Sequence, residues 1–166
     1  MNLAFQEKLF RHYPRLFRKP GSECNPAPVD ERGVDCGDGW FDFIDRLSRA
    51  GEIEIEALIS RGVTKEHWPR VVQIKEKFGT LRFYVHGQLS DGLRAQILQV
   101  EEEESARTCE RCGAPGQLRN GGWRHTYCDE CDAVDGASGK ASAGPPFGAL
   151  DQGRADLLAL LTSRHE

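Results

Sequence analysis

The sequence has no long hydrophobic run, and that absence excludes several classes of protein. No apolar stretch approaches the ~20 residues that a membrane-spanning helix needs. The first stretch, MNLAFQEKLFRHYPRLF, carries too many charges for a secretory signal peptide. We therefore expect a protein that stays in the cytoplasm of the cell that makes it, with no membrane partner and with thiols that are reduced rather than paired in disulfides.

Sequence motifs for catalysis are also missing. There is no Gly-rich phosphate loop, no nucleophile elbow and no histidine with a carboxylate at catalytic spacing. The sequence therefore predicts a protein that is not an enzyme. The least supported alternative is an enzyme whose site is built from scattered Asp and His residues, since catalytic groups can converge from distant positions.

Apolar residues are scarce at 39%, and 18 of the 166 residues are glycine, which indicates a modest core with long connections. The net charge of −4 is unevenly placed. Residues 1–19 hold five basic residues against one glutamate, and residues 30–56 hold nine carboxylates against three arginines. Such runs are usually solvated helix faces, and the alternative is an acidic surface that meets a basic partner or mimics nucleic acid. The strongly basic stripe of a duplex-DNA binder is absent.

The N-terminal part predicts two helices separated by an irregular stretch. A helix over 2–12 ends before Pro14, whose ring cannot follow helical geometry. Residues 19–37 are rich in proline, glycine and Asp or Asn, so we expect a loop. A second helix begins with Asp38 as its N-cap and ends at Gly51. Residues 52–60 then form a short helix or, because EIEIE alternates, a strand.

The middle of the chain carries the best β signal. VVQIKEKFGTLRFYV alternates on both sides of KFGT, which predicts an antiparallel hairpin with Gly79 at positive φ. A helix follows over 91–106. We expect an α+β fold in which helices surround this small antiparallel hairpin or sheet, and residues 1–106 form the main domain. Beyond the cysteine-rich module, residues 133–148 form a flexible linker, and residues 149–166 form a leucine-rich helix that docks on the domain or on a second copy.

Four of the six cysteines form two Cys-x-x-Cys pairs, Cys109 with Cys112 and Cys128 with Cys131, fifteen residues apart. This spacing predicts a metal module over 107–132, of the zinc-ribbon or treble-clef type. Zn²⁺ is the favoured ion, and an iron–sulfur centre is the rival. Because four thiolates leave no open position for water, we expect the zinc to be structural. The other two cysteines, at 24 and 36, are either free thiols or a second site, and free thiols are favoured.

The segment between the two cysteine pairs predicts a contact with another protein. It can expose Arg119, Trp123 and Arg124 together, and Trp and Arg are typical of interface hot spots. The acidic run Glu101, Glu102, Glu103 and Glu104 is a second candidate contact, because negative charge near a helix C-terminus does not stabilise the helix. The arginines of the module are balanced by carboxylates, so a phosphate-binding field is lacking. The alternative is a nucleic-acid-binding or transcription-regulating protein that uses the basic N-terminus, the module's arginines and hairpin residues Lys75, Lys77 and Arg82.

Three stretches together carry a resemblance: GDGWFDFIDRL, VVQIKEKFGTLRFYV and CERCGAPGQLRNGGWRHTYCDEC. As a set covering about residues 38–131, they resemble a group of small, largely uncharacterised proteins of phages, prophages and bacterial genomes. The resemblance implies a phage or prophage accessory protein. Such proteins commonly bind and inhibit a host complex, such as a CRISPR or other antiviral defence effector. The resemblance carries over the four metal cysteines and no catalytic residue.

Overall fold

The computed structural model describes residues 1–18, 33–119 and 124–137. The fold is α+β, as predicted, with one three-stranded and one two-stranded sheet in these residues. In chain order, the elements are α1 (Leu3–His12), β1 (Val34–Asp35), α2 (Phe41–Ser60), β2 (Arg70–Lys77), β3 (Thr80–His86), α3 (Asp91–Gln99), β4 (Gln117–Arg119), β5 (His125–Tyr127) and α4 (Asp129–Ala137). Each helix among the described residues is too short or too polar to cross a bilayer.

Helix α1 confirms the predicted N-terminal helix and ends before Pro14. Its N-cap is Asn2, whose side chain accepts the N–H of Phe5 at 3.0 Å. The prediction that Asp38 caps the next helix is wrong. Asp38 lies in a 3₁₀ turn, and its carboxylate accepts the backbone and side-chain N–H groups of Asn2 at 2.7 and 2.8 Å. Asp38 therefore ties the start of α1 to the turn before α2.

Helix α2 is one uninterrupted helix, so the predicted stop at Gly51 and the separate element over 52–60 are wrong. Gly51 is buried, and a Cβ there would lie 2.9 Å from Leu16 Cδ1. The glycine therefore lets another segment approach the helix closely and does not end it. Ile55 and Leu58 continue the buried stripe beyond it, which stabilises the second half of the helix.

Strands β2 and β3 confirm the predicted hairpin. Its inner face is formed by Ile74, Leu81 and Phe83, each at most 3% exposed. An irregularity between Val71 and Gln73 shifts the register. Val71 therefore takes the core position that simple alternation gave to Val72.

The main sheet has the order β1-β2-β3, and β1 pairs with β2 in parallel. The sequence predicted an antiparallel sheet and a loop over residues 19–37. Strand β1 contradicts both predictions, because it is parallel to β2 and lies at residues 34–35. A two-residue strand is too short to show an alternating sequence pattern. Strand β1 forms because it pairs with β2, which is distant in the chain. Residues 19–32 of the predicted loop, with Cys24, lie outside the described residues.

The helix predicted over 91–106 is regular only to Gln99. A π-helical turn over Val100–Glu104 and a 3₁₀ turn over Ser105–Arg107 follow it. These turns place Glu101 and Ser105 beside the outer edge of β3. There the Phe83 N–H donates to Glu101 Oε1 at 2.7 Å, and the Leu81 N–H donates to Ser105 Oγ at 3.0 Å. The outer edge of the sheet is thereby closed to further strands at these positions.

The core packs α2 against the inner face of the sheet, with α1, α3 and the segment after α1 closing its sides. Trp40, Ile44, Leu47 and Ile74 are fully buried within it. Helix α4 extends to Ala137, beyond residue 132, where the sequence places the end of the cysteine module. The remainder of the predicted linker and the predicted C-terminal helix over 149–166 lie outside the described residues.

Candidate metal centre

The four predicted cysteines come together at one point. The sulfur atoms of Cys109, Cys112, Cys128 and Cys131 all lie within 4.8 Å of one another. The Sγ atoms of Cys112 and Cys128 are 3.7 Å apart. Tetrahedral zinc with Zn–S bonds of about 2.3 Å would separate its sulfurs by about 3.8 Å. The donor set therefore fits one tetrahedral ion that prefers thiolates.

The first pair lies on a tight turn closed by backbone hydrogen bonds. The Gly113 N–H donates to the Cys109 carbonyl at 2.8 Å, and the Cys109 N–H donates to the Ala114 carbonyl at 2.7 Å. Gly113 has φ 81°, a conformation that costs a residue with a side chain free energy. The turn brings Cys112 back over Cys109 so that both sulfurs face one side.

The second pair lies where β5 meets α4. Cys128 directly follows β5, and Cys131 lies in the first turn of α4. The Cys131 N–H donates to the Cys128 sulfur at 3.4 Å. This junction therefore places both sulfurs of the second pair beside those of the first.

The electrostatics of the cluster favour a bound cation. Burial raises the pKa of Cys109, but backbone N–H groups, foremost those of Cys128 and Cys112, outweigh it and bring the pKa down to about 7. Burial and the three neighbouring sulfurs raise the pKa of Cys131 to about 12. Four thiolates this close repel one another, and a divalent cation among them would reverse that effect.

The turn before α2 packs directly on the first cysteine pair. The Gly39 N–H donates to the Glu110 carbonyl at 2.7 Å, and the Trp40 indole N–H donates to the Thr108 carbonyl at 2.8 Å. A Cβ on Gly39 would overlap the carbonyl oxygen of Cys109. The GDGW motif therefore docks the metal turn onto the core.

The tip of the β2–β3 hairpin reaches the same module from another side. The Thr126 hydroxyl is fully buried and donates to the Gly79 carbonyl at 2.6 Å. The Thr126 carbonyl in turn accepts the Glu110 N–H at 2.9 Å. The three motifs that the sequence singles out thus meet around one centre. Sequence reasoning missed Thr126 and Glu110 because their partners are distant in the chain, and no local pattern marks them.

Arg119, a predicted contact residue, is engaged inside the module. Its guanidinium donates to the Tyr127 carbonyl at 3.2 Å and pairs with Asp129 at 2.5 Å and Asp132 at 3.7 Å. It therefore fastens β4 to the start of α4. Arg124 is exposed, and Trp123 lies outside the described residues.

His125, three residues before Cys128, stays outside the cluster. Its Nε2 lies 3.4 Å from Asp132 Oδ1, and its ring contacts the Tyr127 ring at 4.1 Å between centroids. The ligand set that the described residues form therefore contains sulfur alone.

The acidic run divides into two roles. Glu101 closes the sheet edge, and Glu104 pairs with Arg46 at 2.7 Å. Glu102 and Glu103 are exposed and point to solvent. The exposed pair is the part of the run that is free for a partner.

One cavity, of ≈ 270 Å³, borders the metal module. The carboxylates that line this cavity include those of Asp38 and Glu110. Asp38 accepts a hydrogen bond from the Asn2 N–H, and Glu110 Oε1 accepts the Gly37 N–H at 2.8 Å. Neither a histidine nor a thiol lines it. Cys36 is a free, buried thiol, and burial raises its pKa.

Comparison with known proteins gives no match to a protein-family model, to a curated protein or to a solved structure. The resemblance to the phage and prophage group stays a prediction.

Proposed function

We propose that this chain is a non-enzymatic binding protein that one structural Zn²⁺ holds together. The observation that carries the proposal is the set of four sulfurs within 4.8 Å of one another, packed against the core through the GDGW turn and the hairpin tip. With all four positions taken by cysteine, the ion has no place for water or substrate. Its role is to hold the module in its folded form.

We assign the module to the treble-clef class. A cysteine-bearing turn is followed by the β4–β5 hairpin and then by α4, whose first turn carries the last cysteine. This order of turn, hairpin and helix supports treble-clef over a ribbon built from two hairpins. The distinction matters because α4 then presents an outer face beside the ion.

For the partner, we propose a host protein complex in the bacterial cytoplasm, with inhibition of an antiviral defence effector such as a CRISPR complex as the leading role. The phage and prophage resemblance motivates this role. The exposed Glu102, Glu103 and Arg124 are the contact residues, since Arg119, Glu101 and Glu104 have partners within the fold.

The test is affinity capture from host lysate with the full chain and with two variants. Glu102→Lys with Glu103→Lys reverses the exposed acidic pair, and Glu56→Lys with Asp91→Lys makes the same charge change at exposed sites elsewhere. We expect one host protein at a stoichiometric level with the wild type and the control, and its loss with the first variant. Recovery of no host protein, or equal recovery with all three, would contradict the proposal.

The alternative is a nucleic-acid-binding or transcription-regulating protein. The metal module gives this alternative little support, because Arg119 forms ion pairs with Asp129 and Asp132 and so does not face a phosphate. A different surface, the outer face of the β2–β3 hairpin, is basic.

A further inference from the structure

The outer face of the β2–β3 hairpin has a composition unlike the rest of the surface. Cross-strand register places Gln73 opposite Tyr84, Lys75 opposite Arg82, and Lys77 opposite Thr80. Because side chains alternate along strands, all six lie on the face opposite the buried Ile74, Leu81 and Phe83. No carboxylate occurs among these six positions.

Lys75 and Arg82 stand directly opposite each other, an arrangement of like charges that destabilises an antiparallel pair. Among the described residues, no carboxylate forms an ion pair with either of them. Asp35 is in register with Lys75 on β1, yet no ion pair joins the two side chains. The Arg82 guanidinium instead donates to Thr80 Oγ1 at 2.6 Å and to the Leu81 carbonyl at 2.8 Å. The Glu101 carboxylate acts on Arg82 electrostatically without forming an ion pair, so the two cations face each other with no carboxylate bound to either.

Aromatic rings lie among these cations. The Lys75 Nζ is 5.7 Å from the Tyr84 ring centroid, and Tyr84 is 39% exposed. At the hairpin tip, the Lys77 Nζ is 5.3 Å from the ring centroid of Phe78, which is 52% exposed. Phe78 has φ 57°, a conformation that is rare for a bulky residue and that hairpin turns usually give to Asn or Gly. The tip therefore keeps an exposed aromatic ring at a cost in backbone free energy.

We infer that this outer hairpin face, formed by Lys75, Lys77, Arg82 and Tyr84, binds single-stranded nucleic acid. Cations spaced by two residues lie about 6–7 Å apart along a strand, so they can contact successive backbone phosphates. Exposed aromatic rings between them offer platforms on which unpaired bases stack. A duplex would keep its bases stacked away from these rings. An acidic protein is the competing partner, and the variants below separate it from nucleic acid by the effect of the Tyr84 ring. This surface shares no residue with the set proposed to contact a host protein.

The binding measurement uses the full-length, metal-loaded chain and a fluorescent oligothymidylate, with an unstructured RNA of equal length in parallel. We expect binding at about 50 mM salt that weakens as salt rises, with a log–log slope of roughly −2 if about three phosphates are neutralised. The Lys75→Gln, Lys77→Gln, Arg82→Gln triple variant should lose this binding. The variant removes a like-charge contact and also the hydrogen bonds of Arg82 to Thr80 and Leu81, so its melting temperature should stay close to that of the wild type.

Two further variants separate a specific surface from general electrostatics. Arg49→Gln, Arg61→Gln, Arg94→Gln removes the same charge from exposed positions outside the N-terminus and the metal module, and should bind as the wild type does. Tyr84→Leu keeps every charge and should weaken binding by about five-fold or more, through lost stacking.

The inference would be wrong if no binding occurred at low salt, or if the control triple lost as much affinity as the hairpin triple. Equal affinity for polyglutamate and for the oligonucleotide, with no effect of Tyr84→Leu, would instead assign the face to an acidic protein and also overturn it. None of these outcomes depends on capture of a host protein.

Discussion

Replacing Trp40 by phenylalanine should weaken both the fold and the metal centre. The indole N–H of Trp40 donates to the Thr108 carbonyl at 2.8 Å, and the ring is fully buried. Loss of this donor leaves a carbonyl without a partner, at a cost of about 1–3 kcal/mol. The smaller phenyl ring leaves a cavity that costs about 1–2 kcal/mol more. Against a total stability of about 5–15 kcal/mol, this is a large loss.

Trp68→Phe is the matched control. The Trp68 indole N–H donates to the Val63 carbonyl at 2.9 Å, and this ring is only partly buried. Its partner Val63 lies outside the metal module. A hydrogen bond of this kind contributes about 1 kcal/mol. Trp68→Phe should therefore lower the urea midpoint less than Trp40→Phe does.

The assay that separates the two variants is transfer of metal to a colorimetric chelator. Since Thr108 directly precedes Cys109, Trp40→Phe should release metal several-fold faster than the wild type, and Trp68→Phe should release it at the wild-type rate. Equal release from all three chains, or a stability loss of Trp40→Phe no larger than that of Trp68→Phe, would refute the reasoning that the core holds the metal turn in place.

Two other residues give independent predictions. The buried guanidinium of Arg18 donates to four backbone carbonyls, those of Arg15, Lys65, Trp68 and Pro69. Arg18→Met should lower the free energy of unfolding by about 3–5 kcal/mol in urea titrations, and an unchanged midpoint would contradict this role. Burial raises the pKa of Glu101, so the folded chain binds more protons than the unfolded chain and stability falls as pH rises through that pKa. Glu101→Gln keeps an acceptor for the Phe83 N–H and should flatten this pH dependence in urea titrations that start at the ordinary glutamate pKa of about 4.3 and go upward.

The sequence predicted those features whose signal is local. The two Cys-x-x-Cys pairs are short turns, and their residues form the sulfur cluster. Alternation on both sides of KFGT predicted the β2–β3 hairpin correctly. Helix α1 likewise ends where Pro14 requires it.

Features that depend on tertiary contact were missed or misjudged. Gly51 was expected to end a helix, but its lack of a side chain serves the approach of Leu16. Asp38 was expected to cap a helix, but its carboxylate accepts hydrogen bonds from Asn2, which is distant in the chain. Glu101 was expected to contact a partner, and it closes a sheet edge instead. In each case the role of the residue depends on a partner that is distant in the chain, and the local sequence does not show that partner.

The most direct test of the account is the metal content of the purified chain. We predict about one equivalent of zinc per chain, its loss in Cys109→Ser and in Cys128→Ser, and a colourless protein without the visible absorption of an iron–sulfur centre. Because the metal turn packs on the core, chelation should also lower the melting temperature of the whole domain. Wild-type protein with neither zinc nor iron near one equivalent would contradict the central claim.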